Sequence, residues 1–364
     1  PYIYYHFINF LKFIGIHDPF NWTLVLRFIS SLLGYFSVIY LFFTIKNDFF
    51  KKNNHFNYLI FFTFWFYPFL HSRTSAENLS ITFFIFSFCI LYKQLSSRKF
   101  KTNYFVFFIA SFLMGLSMVT KFNLVFTTLP FFIWMFFYKF NFFKLITFGI
   151  STLLALGLGL FIDFINWGSY KNTYLQFYKF NLDETWGRLK DFGPEPWYYF
   201  ITETILQLAP LLSVFFVVGI IIFWFKNLKH PLTWVTFFTV FVSSLFSHKE
   251  IRYLFPVYIF APLFIAYFFE NFNFKYFSKI FKTLIIFSNI LFLMLTLFVP
   301  PNTKVGVYKF IFENINKNEK IYYLDENPYL VNNMEPFLYT KFLPKINKFN
   351  KDIDLKNIWV VANK

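Results

Sequence analysis

Cysteine is almost absent. The single Cys89 lies inside an apolar run, so no disulfide framework is available. Charge is scarce as well: 14% of residues are Asp, Glu, Lys or Arg, against ~25% in a soluble domain. The sequence contains no Gly-rich phosphate loop, no zinc-ligand spacing and no strand-to-helix nucleophile elbow. It therefore calls for no nucleotide site, no metal and no other cofactor. No internal repeat is found. What is there is apolar and aromatic: 57% of the 364 residues are hydrophobic, 27% are aromatic and 66 are Phe, with a mean hydropathy of +0.50. That is the composition of a polytopic membrane protein. The surplus of Phe, Ile, Lys, Asn and Tyr over Ala, Gly and Arg matches an AT-rich coding bias, so many Phe residues replace Leu without forming a specific aromatic site. The net charge of +16 invites nucleic acid, but the cations lie in short loops between apolar segments, where membrane topology accounts for them.

About ten apolar stretches read as spans: 24–45, 56–71, 78–92, 104–120, 122–138, 143–162, 203–225, 232–246, 253–269 and 283–299. Several are shorter than the ~20 residues that a straight crossing needs. The loops alternate in charge. Lys46, Lys51 and Lys52, then Lys93, Arg98, Lys99 and Lys101, then Lys139 and Lys144, then Lys226 and Lys229, then Lys275, Lys279 and Lys282 mark one face. By the positive-inside rule this face is cytoplasmic. The opposite loops are then non-cytoplasmic, together with both ends of the chain. They hold a sparse set of ionisable residues, among them Arg73, Glu77, Lys121, Asp163, His248, Lys249, Glu250 and Arg252. Chemistry confined to one face suits an enzyme or a transporter working from that side.

Three regions follow. Residues 1–20, apolar but interrupted by His6, Lys12, His17 and Asp18, predict an amphipathic helix lying in the interface, ending near Gly15 and Pro19. Residues 21–300 form the helical bundle, with a long outer loop at 163–202 whose Trp167, Tyr170, Trp197 and Tyr198 are either substrate contacts or interfacial anchors. Residues 301–364 are polar and predict a small α/β unit, with a helix over 305–317 and strands at 321–324 and 358–361. The chain opens at Pro1 rather than Met and reads as a piece of something longer.

One stretch stands out. Ser247-His248-Lys249-Glu250-Ile251-Arg252-Tyr253-Leu254-Phe255-Pro256 places four ionisable residues between two membrane-length segments, a costly arrangement that points to function. On a helix, Lys249 and Arg252 would share a face. Two cations at a membrane rim suit a phosphate, Arg by its planar fork and Lys as a point charge. His248 and Glu250 supply proton acceptors beside them.

His248-Lys249-Glu250-x-Arg252-Tyr253-x-x-Pro256 resembles the HKExRF signature of family 22 glycosyltransferases, the lipid-sugar-dependent mannosyltransferases of GPI-anchor and N-glycan assembly and their bacterial relatives. In matching order, Ser72-Arg73-Thr74-Ser75-Ala76-Glu77-Asn78-Leu79 resembles the family's TRTxSNxLE segment. Asp163-Phe164-Ile165-Asn166-Trp167-Gly168-Ser169-Tyr170 resembles its DxxFYGxW loop entry, and Phe192-Gly193-Pro194-Glu195-Pro196-Trp197-Tyr198-Tyr199-Phe200 its YGxHPWHWYF segment. The resemblance covers most of residues 1–270. Ser80 stands where the family has Glu, and Glu195 where it has His. The family's acidic first outer loop, which carries its proposed base, would fall upstream of residue 1.

The resemblance implies an all-α polytopic membrane protein of the GT-C fold with a small α/β outer domain. Such an enzyme transfers a hexose, mannose by analogy, from a polyprenyl-phosphate sugar to a lipid-linked glycan or glycolipid acceptor, with inversion. Lys249, Arg252, Arg73 and Lys121 would hold the donor phosphate. Asp163, Glu250 and His248 are the candidates for proton transfer, with Trp167, Tyr170, Trp197 and Tyr198 against acceptor or sugar. The partners are lipids, with no nucleic acid. The membrane is a bacterial inner membrane with a periplasmic site, which composition and short loops favour, or the endoplasmic reticulum. Two other readings stay open: a transporter or flippase of lipid-linked glycans, which should show charges mid-span and broken helices in paired halves, and a non-catalytic subunit of the same fold.

Overall fold

A computed structural model describes residues 2–50, 55–96, 103–182, 193–207, 209–271, 275–299, 304–316, 319–324, 326–330, 345–349 and 358–361. Chain contacts divide it into two units, residues 27–298 and residues 1–26 with 299–364.

In the larger unit the apolar runs form helices. They are α2 (Pro19–Phe49, begun in the smaller unit), α3 (His55–Phe62), α4 (Phe66–His71), α5 (Ala76–Ser96), α6 (Tyr104–Thr120), α7 (Val125–Tyr138), α8 (Phe142–Trp167), α9 (Thr173–Leu182), α10 (Tyr199–Gln207), α11 (Pro210–Lys226), α12 (Pro231–Leu245), α13 (Phe255–Tyr258), α14 (Ala261–Asn271) and α15 (Lys275–Phe298). Single 3-10 turns at Phe122–Leu124 and Ile251–Leu254 lead into α7 and α13. Short polar residues set the starts: Asn103 accepts from the amides of Phe105 and Val106, and Asn141 from that of Lys144.

The helices α2, α5, α8 and residues 279–298 of α15 are long and apolar enough to cross a bilayer. The bent pair 251–258 and 261–271 makes a fifth candidate, and α6, 122–138, α11 and α12 are apolar but shorter. The described residues thus form a multi-pass membrane bundle. With lipid outside, close helix contact comes from small residues and buried hydroxyls. Gly115 of α6 faces Ala155 and Thr152 of α8, Gly219 of α11 lies against the Phe264 carbonyl of α14, and the hydroxyls of Thr127 and Thr239 meet at 3.1 Å between α7 and α12.

Three stretches that hydropathy reads as continuous are broken. In 56–71 the break falls between α3 and α4, at Thr63 to Trp65. There the buried Asn289 side chain of α15 accepts from the Trp65 amide (3.1 Å) and donates to the Thr63 carbonyl (2.8 Å) and hydroxyl (3.0 Å). In 203–225, Pro210 starts a new helix and disfavours helical backbone at the residue before it; Ala209, fully buried, is non-helical, at φ +61°. In 253–269, Pro262 has no amide for the Tyr258 carbonyl and its ring crowds that group, so α13 and α14 meet at 57°. The Tyr67 hydroxyl donates to the buried Ile259 carbonyl, at the break between the two helices, at 3.3 Å. Broken backbone at membrane depth is tolerated where protein groups complete its hydrogen bonds, and Asn289 and Tyr67 do this here.

In the smaller unit, α1 (Tyr2–Phe13) ends before Gly15, at φ +88°, and α2 starts at Pro19. Helix α16 (Val305–Asn314) packs Tyr308 and Ile311 against Ile321 and Tyr329. A three-stranded parallel sheet follows, ordered β2-β1-β3, from β1 (Lys320–Tyr323), β2 (Lys345–Lys348) and β3 (Ile358–Val361), with Ile321 paired to Ile346 on one side and Trp359 on the other. The predicted strands correspond to β1 and β3. The strand β2 escaped notice because Lys345-Ile346-Asn347-Lys348 carries one apolar residue.

Candidate active site

The charged residues of one end of the bundle converge from three elements. At the start of α5, the Ser75 hydroxyl accepts from the Asn78 amide at 3.2 Å. The buried Asn78 side chain donates to the carbonyls of His71 (2.9 Å) and Arg73 (2.7 Å), and its Oδ1 lies 2.7 Å from His71 Nδ1. This knot fixes the turn 71–75 and presents Glu77 in the first turn of the helix, where the macrodipole favours a carboxylate. Lys121 is the residue at which α6 ends, in extended backbone, before the 3-10 turn at Phe122. Arg252 lies in the other 3-10 turn, ahead of α13.

Glu77 Oε1 pairs with Lys121 Nζ and, at 3.7 Å, with Arg252 Nη1. Arg252 Nε also pairs with Glu250, whose other oxygen lies 3.3 Å from His248 Nε2. A small cavity beside them is lined by Glu77, Ser80, Lys121, Asn123, Arg252 and Tyr253, and the buried Asn123 Oδ1 has no hydrogen-bond partner among the described residues. Burial lowers the Lys121 pKa, and the Glu77 carboxylate opposes the shift. Arg252, 44% exposed, keeps an open approach.

Lys249 is placed differently from Arg252. Glu250 is extended (φ −128°, ψ 137°), so the two cations do not share a helix face, and the helical spacing expected of them fails there. Lys249 is 4% exposed and its ammonium donates to the Glu195 carbonyl at 2.7 Å. The Glu195 amide in turn donates to the Ser247 carbonyl at 2.8 Å. Lys249 thus ties the 193–198 segment to the charged turn, which holds Trp197 and Tyr198, exposed and edge-to-face at 5.7 Å, beside the cluster. Burial lowers the Lys249 pKa as well, against the pull of Glu195. Replacing Lys249 with Met leaves the Glu195 carbonyl without its donor and should destabilise the protein by about 1–3 kcal/mol, read as a lower unfolding temperature in detergent. An unchanged midpoint with lost activity would instead put the ammonium on a ligand.

The remaining residues spread out. The Arg73 guanidinium stacks over Phe69 at 3.8 Å and interacts electrostatically with Glu77. The Asp163 carboxylate accepts from the Thr173 hydroxyl at 2.7 Å, and among the described contacts it meets α9 and not the cluster. Tyr174, next in α9, stacks on Phe122 at 5.1 Å, so among the described residues Asp163 bears on the Lys121 turn through α9. Trp167 and Tyr170 are exposed near Gly168, and the Lys171 ammonium lies over the Trp167 ring at 4.5 Å. The sequence reading gave Glu77 no role in the site. Its signal was the spacing to Ser80: three residues apart, the two share a helix face.

A family model for Alg9-like mannosyltransferases matches residues 1–332. The chain belongs to that family. Among curated mannosyltransferases, the human GPI alpha-1,2-mannosyltransferase 3 is 30% identical over 115 residues, 31% of this chain and 20% of that protein. Mannosyltransferase APTG1 of Arabidopsis thaliana is 29% identical over 118 residues, 32% of this chain and 20% of the relative. A probable Dol-P-Man:Man(7)GlcNAc(2)-PP-Dol alpha-1,6-mannosyltransferase of Schizosaccharomyces pombe is 33% identical over 113 residues, 30% and 20% respectively. The matched part is therefore about a fifth of each of these mannosyltransferases. No solved structure matches the chain.

Proposed function

We propose that this end of the bundle is the active site of a GT-C membrane mannosyltransferase. It would move mannose from a polyprenyl-phosphate donor, dolichyl or bacterial, to a hydroxyl of a lipid-linked glycan or glycolipid acceptor, with inversion, on the non-cytoplasmic face. The observation that carries the reading is the convergence of Lys121 and Arg252 on a single carboxylate oxygen: two cations already arranged around one anionic oxygen.

In this reading the acceptor oxygen attacks the anomeric carbon as the bond from that carbon to the phosphate oxygen breaks. The phosphate leaves with the electron pair and gains charge. Cations fixed where that charge develops stabilise the transition state and need no reorganisation. Arg252 offers its fork and Lys121 a point charge, with Arg73 as a further cation nearby. The acceptor hydroxyl must lose a proton. Glu250 with His248 is the acceptor pair nearest Arg252, and Asp163 is a further carboxylate candidate. Tyr198 and Trp197 stand where a sugar face can stack, as Trp167 and Tyr170 do on the α8 side.

The reading is tested by incubating the purified full-length protein with polyprenyl-phosphate mannose and a lipid-linked oligosaccharide in liposomes. Mass spectrometry should record one added hexose with inverted anomeric configuration. Transfer from a nucleotide sugar, with none from the lipid donor, would overturn it.

A further inference from the structure

The cavity beside the cluster is nearly full. The space open to a water's centre is about 10 Å³, room for one water at most, and a phosphate group does not fit. Glu77 occupies the place between the two cations. One of its oxygens bridges an ammonium and a guanidinium, which is the geometry a phosphate oxygen would adopt there. The rest of the wall suits a ligand that brings hydroxyls along with a phosphate. The Asn123 amide oxygen is an acceptor lacking a donor among the described residues. The Ser80 hydroxyl turns back onto the Glu77 carbonyl at 3.0 Å and leaves the neighbouring surface neutral.

We propose that Glu77 is an internal counter-anion: it holds the phosphate position while the site is empty and yields it when the polyprenyl-phosphate sugar binds. The proposal rests on the mannosyltransferase reading of the same site. Three physical points support it. While no phosphate is bound, a carboxylate between them offsets the mutual repulsion of Lys121 and Arg252, and Glu250 still holds Arg252 when Glu77 turns away. The displaced carboxylate has a cation to turn to, since the Arg73 guanidinium already interacts with it. And the product, a phosphate monoester, carries more negative charge than the diester donor, so two unopposed cations would release it slowly. A competing carboxylate lowers affinity for both and helps expel the more highly charged one. Glu77 is thus a positioning residue that acts through Lys121 and Arg252.

The test compares the wild-type full-length protein with Glu77→Gln and Glu77→Asp in detergent, titrating polyprenyl phosphate and measuring transfer kinetics. Glu77→Gln should bind polyprenyl phosphate roughly tenfold more tightly, with a lower donor KM and a lower kcat limited by product release, while Glu77→Asp stays near wild type. Should Glu77→Gln not accumulate, Glu77→Ser should give the same tightening. Equal or weaker binding overturns the proposal. So does a collapse of kcat at unchanged affinity, which would make Glu77 a proton acceptor, and so does tightening by Glu77→Asp, which would make size the cause. Tighter binding by Glu77→Gln in a protein whose wild type transfers no mannose would sink the enzyme reading and leave the counter-anion standing. Active wild type with no tightening would do the reverse.

Discussion

Arg252→Ala should cut the rate of mannose transfer by about 10²- to 10³-fold at saturating donor, the effect of removing one fixed donor to charge that develops in the transition state. Fold and chemistry separate well at this position. Arg252 is 44% exposed, while its carboxylate partners Glu77 and Glu250 are 14% and 22% exposed; an ion pair with one solvated partner contributes about 1 kcal/mol or less to stability, so the unfolding temperature should move little. Arg252→Lys keeps the charge and loses the fork, and should fall between wild type and alanine. Lys121→Ala should lose activity too, with some cost in stability, because its ammonium is mostly buried against Glu77. The burial that lowers the Lys121 pKa gives this a pH signature. The cation is lost at a lower pH than for an ordinary lysine, so activity should decline early on the alkaline side, and Lys121→Arg should push that decline upward. Full activity in both alanine variants would remove the phosphate role altogether.

The second large effect is on the fold. Asn289→Leu deletes the side chain that accepts from Trp65 and donates to Thr63 at the break between α3 and α4. Two backbone groups are then left unsatisfied in the bundle interior, at about 1–3 kcal/mol each. A total of roughly 2–6 kcal/mol is comparable with the whole stability of many proteins. The variant should fail to accumulate in membranes, or unfold far below wild type when followed by size-exclusion after heating. Asn289→Asp keeps the acceptor and loses the donor, and should be intermediate. Wild-type stability in Asn289→Leu would mean that the break is satisfied in another way.

Part of this charged cluster was legible in the sequence. Of the sparse ionisable residues of alternate loops, Glu77, Lys121, Glu250 and Arg252 meet at one end of the bundle, while Asp163 lies against α9 instead. What hid Glu77 was its company: in Ser75-Ala76-Glu77-Asn78 it reads as a helix start, and its partners lie at sequence distances that no local pattern reports. The helix face expected to be shared by Lys249 and Arg252 failed for the opposite reason. A helical period was applied to a turn that is extended at Glu250. The helix breaks were hidden because hydropathy averages over them. A proline such as Pro262 hints at a kink, but the side chains that make a kink bearable, Asn289 and Tyr67, come from distant segments. In the smaller unit, Ile321 and Trp359 sit in apolar tetrads and betray their strands, whereas Ile346 stands alone among polar neighbours.

The bend at Pro262 has a consequence for how this chain can change over generations. The 3-10 turn, α13 and the kink leave a fixed count of residues between the Arg252 guanidinium and the point where α14 locks against Gly219. One residue inserted in a helical part of that interval would rotate what precedes it by about 100° and should swing the guanidinium away from Glu77. The interval should therefore act as a ruler, less tolerant of insertion or deletion than of substitution away from Pro262.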